Sequence, residues 1–277
     1  MKLVLVIAIY KRHDLTQIVL DYYRALCKKH KNIEVVIAGS EGKISKDLAH
    51  GFHYIETANS SLTYKNNAML EKAKELNPDA VVLLGSDDLI CTNVIKWYFD
   101  LIKQGTDKVW GFKDIYFYST EHKTLGYLPL DKHFGAGRFF PKSVLELTDY
   151  KGWVKQLDRG CDNENERFLK RLGVEFESIN IENINGFLID IKHDYNISSK
   201  NIIFACTPIN TNIMAKKIGK QTADKIENLV FTPKAVQGNT VKIKCNDVNE
   251  SLKGRVMVVS KIKAELLISK GWADLCE

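Results

Sequence analysis

The stretch Ala80-Val81-Val82-Leu83-Leu84-Gly85-Ser86-Asp87-Asp88 decides the fold. Five apolar residues in a row lead directly into a polar turn that carries two adjacent carboxylates. A run that is apolar at every position, rather than at every second one, belongs to a strand covered on both faces, as parallel strands between helical layers are. LVLVIAI (3–9) and IEVVIA (33–38) read the same way. Between them, Leu15, Ile18, Val19, Tyr22 and Leu26 recur at helical spacing behind Asp14, an expected N-cap. A parallel pair needs such a crossover, so residues 3–38 read as one strand–helix–strand unit.

Downstream, Ala68, Leu70, Ala73 and Leu76 predict a helix from about Thr63, expected as its N-cap, that ends before Pro78. After the acidic turn, Val94, Ile95, Trp97, Tyr98, Leu101 and Ile102 predict another helix, stopped by Gly105. Repeated strand–helix alternation argues for an α/β, doubly wound, Rossmann-like sheet. The aromatic-rich VWGFKDIYFYS and TLGYL, with a reversal at 119–123, make that sheet mixed. A loop bearing Gly135 and Gly137 precedes a short helix, and NENERFLKRLG forms a further helix ending at Gly173, before strands VEFESINI and GFLIDI.

The expected organisation is a main α/β domain over 1–195, a linker at 196–200 and a lysine-rich helix within 196–230, and a small unit over 231–277. In that last unit VKIKCND, GRVMVVS and KIKAELLISKG read as β-β-α. A chain of 277 residues with 45% hydrophobic and 27% charged residues has the composition of a folded globular protein. The first apolar run is short and meets Lys11, Arg12 and His13, which suits a buried strand better than a signal peptide. No apolar stretch approaches the roughly 20 residues of a membrane span. Six cysteines without a CxxC pair indicate neither a zinc knuckle nor a disulfide framework and fit a reducing cytoplasm. The net charge of +6 is spread along the chain, a weak pointer to nucleic acid.

Asp87 and Asp88 carry the chemistry. Open α/β sheets bind ligands outside the carboxyl ends of their strands, where this pair stands. Adjacent carboxylates repel and raise one another's pKa, and a divalent cation with a preference for hard oxygen ligands reverses that penalty while clamping a diphosphate. The alternative role for such a turn is to cap the following helix.

On these residues the chain, over about 1–194, resembles the GT-A glycosyltransferases, and within them the family-two-like enzymes, including phage-type ones. That family carries Asp-x-Asp-Asp at this strand end, where this sequence has Gly85-Ser86-Asp87-Asp88. The resemblance implies that Asp87 is a metal ligand, that Asp88 is its neighbour or a sugar contact, and that Ser86 lies in the donor-binding turn. It also brings three more segments to the donor. These are Tyr10, Lys11 and Arg12 after the first strand, Gly39-Ser40-Glu41 after the second, with Glu41 able to accept from a uracil-like base, and Lys65 with Asn66 at the opening of the helix behind 59–67. Each has an ordinary reading beside this one, as a solvated turn or a surface lysine.

The resemblance further implies that Asp162 is the base that takes the acceptor's proton, with Asp158 as second choice, although Asp162 reads equally well as a helix N-cap. Arg138, after the glycine loop, is implied to hold a phosphate or the neighbouring helix, and His193 to complete the metal's coordination. The implied activity is transfer of a sugar from a nucleotide-sugar, UDP-sugar first, with Mn2+ or Mg2+, to a hydroxyl of a glycan, a protein or a hydroxymethylated DNA base. The 231–277 unit is expected to dock the acceptor, mediate homo-oligomerisation or cover an apolar edge. A nucleotidyltransferase, and a non-catalytic carbohydrate- or nucleic-acid-binding module on a degenerate transferase scaffold, stand as alternatives.

Overall fold

β1 (Leu3–Ala8) lies at the centre of the largest sheet, with β2 (Ile33–Gly39) on one side and β4 (Ala80–Gly85) on the other, both parallel to it. This is a computed structural model that describes residues 1–130, 133–193, 200–230, 240–245, 256–260 and 273–275. The side chains of β1 divide by the period of two that a strand imposes. Leu3, Leu5 and Ile7 pack with Leu15, Val19 and Tyr23 of α1 (His13–Lys29). Val4 and Val6 pack with Met69, Leu70 and Ala73 of α3 (Leu62–Lys74). Helices on both faces explain the unbroken apolar runs.

The sheet has seven strands in the order β10-β6-β9-β4-β1-β2-β3. β3 (His53–Glu56) and the short α2 (Lys43–Leu48) before it carry no clear apolar period and are absent from the sequence reading. On the other side, β9 (Arg138–Pro141) inserts antiparallel between β4 and β6 (Val109–Phe112), and β10 (Phe176–Ile179) closes the edge. The sequence predicts a helix directly after the glycine loop, but β9 comes first and α5 (Lys142–Leu147) follows it.

The aromatic stretch expected as one strand divides at Lys113. Its second part, β7 (Asp114–Ser119), enters a five-stranded sheet of order β12-β8-β7-β11-β5, with β5 (Asp88–Ile90), β8 (Thr124–Pro129), β11 (Leu188–Lys192) and β12 (Thr207–Ile209). The acidic turn therefore leads into a strand rather than directly into α4 (Thr92–Gln104), because Asp88–Ile90 pairs antiparallel with β11. α4 ends at Gly105 in the left-handed conformation, as the sequence indicates.

Helix starts differ from expectation by one or two residues. Arg12, not Asp14, is the N-cap of α1. Ser61, not Thr63, caps α3, its Oγ accepting from the Tyr64 amide at 3.3 Å. α6 (Cys161–Arg171) has Gly160 as N-cap, so Asp162 lies inside its first turn.

The chain divides into two compact units, Met1–Phe231 and Thr232–Glu277. In the first, the lysine-rich segment is two helices, α7 (Asn212–Ile218) and α8 (Lys220–Glu227), broken at Gly219 with φ 87° and ψ 142°, a conformation that favours glycine. Met214, Ile218, Ala223 and Ile226 complete the main core, so these helices stand on an apolar partner that their own few apolar positions could not supply. The second unit contains β13 (Thr240–Cys245) between β14 (Val256–Ser260) and β15 (Ala273–Leu275), all antiparallel. The helix expected over 261–271 and most of the expected linker at 196–200 lie outside the described residues. Cys27, Cys91, Cys161 and Cys206 are free thiols. Among the described residues no helix is long and apolar enough to cross a membrane.

Candidate functional site

After β1 the chain passes to β2 on one side and returns to β4 on the other. A sheet that branches in this way leaves a crevice beyond the carboxyl ends of the two diverging strands, where loops do not cover each other. Residues 9–12 leave β1 at this crevice and Ser86-Asp87-Asp88 leave β4. Lys11 and Arg12 both adopt the left-handed region, φ 56° and 50°, uncommon for residues with a Cβ. This turn joins the two sides: the Lys11 amide donates to Glu41 Oε2 at 2.7 Å, while the next side chain, Arg12, reaches the acids.

On the β4 side, Arg12 Nη1 donates to Asp87 Oδ2 at 2.6 Å and Nη2 to Ser86 Oγ at 2.8 Å. Asp88 turns back, its Oδ2 accepting from the Gly85 amide at 2.5 Å. A Cβ on residue 85 would meet Asp87 Oδ1 at 2.6 Å and Asp88 Oδ2 at 3.0 Å, so a side chain at that position would oblige these carboxylates to move. Because Asp88 pairs with Asp190 in the β5–β11 register, a third carboxylate joins the first two. One carboxylate oxygen from each of Asp87, Asp88 and Asp190 lies within 4.8 Å of the others. Lys192, two residues along β11 and on the same face, donates from Nζ to Asp190 Oδ2 at 2.6 Å and sits 4.9 Å from the centre of the Phe117 ring.

Burial and charge pull these acids apart. Burial pushes all three carboxyls up, but the charges of Arg12 and Lys192 hold Asp87 below its ordinary range. Burial and the neighbouring Asp87 and Asp190 push Asp88 well above it. Asp190 is pushed up to about 6, burial outweighing its ion pair with Lys192. Asp190 Oδ1 is also buried without a hydrogen-bond partner. Clustered carboxylate oxygens, one of them unsatisfied, form a hard donor set that suits Mg2+ or Mn2+, so the residues present fit a divalent cation.

On the β2 side, Lys65 of α3 is 4% exposed rather than a surface lysine, and donates to Ser40 Oγ at 2.7 Å. Burial lowers its pKa, against the opposing pull of Glu41 and Asp158. Lys11 Nζ and Lys65 Nζ each lie 5.0 Å from the centre of the Tyr10 ring. Tyr10 is exposed and its hydroxyl accepts from Asn59 Nδ2 at 3.3 Å. Glu41 also meets His13 Nε2 at 3.2 Å. Gly39 is needed because a Cβ there would strike Ser45 Cβ at 2.4 Å. Asn66 is buried on α3.

The remaining expected residues are Asp162, Arg138, Asp158 and His193. Asp162, exposed in the first turn of α6, lies so close to Gly135 that a Cβ there would fall 1.8 Å from its Oδ1. The missing Cβ thus makes room for this carboxylate. Arg138 is 1% exposed and turned into the protein, its Nη1 donating to Asn165 Oδ1 at 2.7 Å and to the Asp162 carbonyl at 3.1 Å. Of its two expected roles this contact is the helix-holding one. Asp158 accepts from the Leu62 amide at 2.9 Å and so caps α3 from a distant loop. His193 is buried, its Nδ1 sharing a hydrogen bond with Thr120 Oγ1 at 2.8 Å, and the acid cluster's third member is Asp190 instead.

Asp190 and Lys192 are absent from the sequence reading. Their signal is the alternation in Leu188-Ile189-Asp190-Ile191-Lys192, where two charges of opposite sign share one face of an otherwise apolar strand.

No protein-family profile and no curated protein sequence matches the chain. Solved structures do. The mannosyltransferase PcManGT from Pyrobaculum calidifontis, in complex with GDP-Man and Mn2+, superposes with a TM-score of 0.50 at 13% identity, over 74% of this chain and 59% of that one. The chain therefore spans less than two thirds of that protein's length. TarS from S. aureus, residues 1–349 with UDP-GlcNAc, gives 0.48 at 12% identity, over 84% and 68% of the two chains. The fold is GT-A-like, a mixed sheet flanked by helices.

Proposed function

We propose that this chain transfers a sugar from a nucleoside-diphosphate sugar, UDP-sugars first among them, to a hydroxyl acceptor. One observation carries the reading: three carboxylates, Asp87 from the turn after β4 and Asp88 and Asp190 from the paired strands β5 and β11, gather at the branch-point crevice of a GT-A-like fold, beside an arginine. The PcManGT complex, of the same fold, contains a nucleotide-sugar and Mn2+.

In this reading Asp87, Asp88 and Asp190 hold a divalent cation, Mn2+ or Mg2+. Bound there, it supplies positive charge to the departing diphosphate. Tyr10, Lys11, Glu41 and Lys65 form the wall for the nucleoside, with Lys65 lending a charge that is hydrogen-bonded to a hydroxyl and lies over the Tyr10 ring. Asp162, exposed and held at the start of α6 by the Arg138 and Gly135 contacts, takes the acceptor's proton. The acceptor oxygen then bonds to the anomeric carbon as the bond from that carbon to the diphosphate breaks. Arg138 and Asp158 act through the helices they hold, and His193 through Thr120.

The test is mass spectrometry of the full chain incubated with pooled nucleotide-sugars, Mn2+ and acceptors of three kinds: glycan, protein and hydroxymethylated DNA. Sugar transfer, or hydrolysis of one donor, supports the reading. Binding without turnover indicates a binding module, and pyrophosphate release from a nucleoside triphosphate indicates a nucleotidyltransferase.

A further inference from the structure

The acid cluster is already partly neutralised by two cations of the chain itself. Three carboxylates face Arg12 and Lys192, so with every group ionised these five described side chains carry one net negative charge. A divalent cation would turn this into an excess of positive charge at a crevice where burial weakens solvent screening. The missing negative charge is what a diphosphate brings.

The two resident cations are not equivalent. Lys192 is 1% exposed, lies against the Phe117 ring and is fixed in the middle of a sheet. Arg12 stands at the head of α1, beyond the end of β1, on a long side chain whose root is set by the backbone turn. Its guanidinium spends Nη1 on Asp87 and Nη2 on Ser86, but its Nε–H is buried with no partner. A buried donor left unsatisfied is costly, and a guanidinium has a planar fork that matches phosphate oxygens in pairs. A diphosphate arriving at this crevice offers Arg12 a complete set of acceptors in place of the incomplete set it has.

We infer that Arg12 is a positioning residue that closes the cation position in the resting protein by occupying Asp87, and that a nucleoside diphosphate opens it by drawing the guanidinium onto its phosphates. This rests on the proposed transferase site. Cation and diphosphate therefore enter together, each raising the other's affinity as linkage requires. Asp87 is the switch atom set, because it is the carboxylate that both the guanidinium and the cation use. Ser86 returns with it, since its hydroxyl is held by the same fork.

The experiment is calorimetric titration of Mn2+ into the full chain, checked by the paramagnetic resonance signal of free Mn2+, with and without saturating UDP. Wild type is compared with Arg12→Gln and Arg12→Lys, and thermal unfolding verifies that each variant is folded. Without UDP, Arg12→Gln is expected to bind Mn2+ about tenfold tighter than wild type, the weight of one charge-assisted hydrogen bond removed from competition. Arg12→Lys, a point charge that cannot bridge Asp87 and Ser86 as the fork does, falls between the two. UDP should raise wild-type Mn2+ affinity by more than it raises that of Arg12→Gln. If Arg12→Gln binds Mn2+ no tighter than wild type without UDP, while wild type binds it with UDP, the inference fails and the site stands. Should neither protein bind Mn2+ even with UDP, both fall. If Arg12→Gln does not fold, Arg12→Lys decides alone, and an affinity equal to wild type overturns the inference.

Discussion

On the β2 side of the crevice, Lys65 gives its hydrogen bond to the Ser40 hydroxyl and Glu41 takes one from the Lys11 amide. On the β4 side, Arg12 and Lys192 are each locked to a carboxylate at 2.6 Å. The residue types are alike, but the partners are not: Lys65 meets a hydroxyl and Glu41 a backbone amide and the His13 imidazole, whereas Arg12 and Lys192 each meet a carboxylate. A lysine on a hydroxyl leaves its charge to be used by a ligand, whereas a carboxylate ion pair obliges a ligand to compete. In the proposed transferase a cation and a diphosphate would have to rearrange the acidic side, while a nucleoside would only add to the other. In that proposal the chemistry lies on the side that rearranges and the affinity on the side that does not.

The sharpest way to break this comparison is Asp87→Asn, which keeps an acceptor for Arg12 and removes the charge. Turnover should fall about 10²- to 10³-fold, the size of losing one well-placed electrostatic contact. Sugar-transfer assays that find turnover within tenfold of wild type would remove the acidic side from the chemistry. Next in size is Gly39→Ala on the opposite side. Its Cβ meets Ser45 Cβ at 2.4 Å, so overpacking should cost about 1–3 kcal/mol in stability, read by denaturant unfolding. An unchanged midpoint would mean that the loop between β2 and α2 yields.

Lys65→Met comes third. If its charge serves only to bind the donor, KM for the nucleotide-sugar rises about tenfold with kcat within about twofold, the pattern of uniform binding. A fall in kcat instead would carry chemistry to the β2 side. The smallest effect is expected from Asp158→Ala, which strips a cap from the helix bearing Lys65. Stability should drop by about 1 kcal/mol with kcat retained. Loss of turnover in a stable Asp158→Ala protein would make Asp158 the base.

Much of the frame was legible. The runs at 3–9, 33–38 and 80–84 are strands buried on both faces, and nothing but helical cover on two sides explains such runs. The helices behind them follow from apolar spacing. What escaped was local structure without local periodicity: α2, β3 and the four-residue β9, each too short for a pattern to show. Asp162 lies against Gly135, whose missing Cβ accommodates the carboxylate, a partner the sequence does not name. The sequence leaves Lys65 equally readable as a donor-facing and as a surface lysine, because nothing in residues 59–67 states which face of α3 is buried.

By itself, then, the sequence determined the strand–helix alternation and the standing of Asp87 and Asp88 just past a buried strand, because hydrophobic period and burial are properties of neighbouring residues. Only the tertiary structure decided which distant groups those acids meet. Arg12 is 75 residues from Asp87, and Asp190 reaches Asp88 only through the pairing of β5 with β11. Such partnerships are set by which strand lies beside which, a choice made by the packing of whole layers rather than by any pattern within a segment.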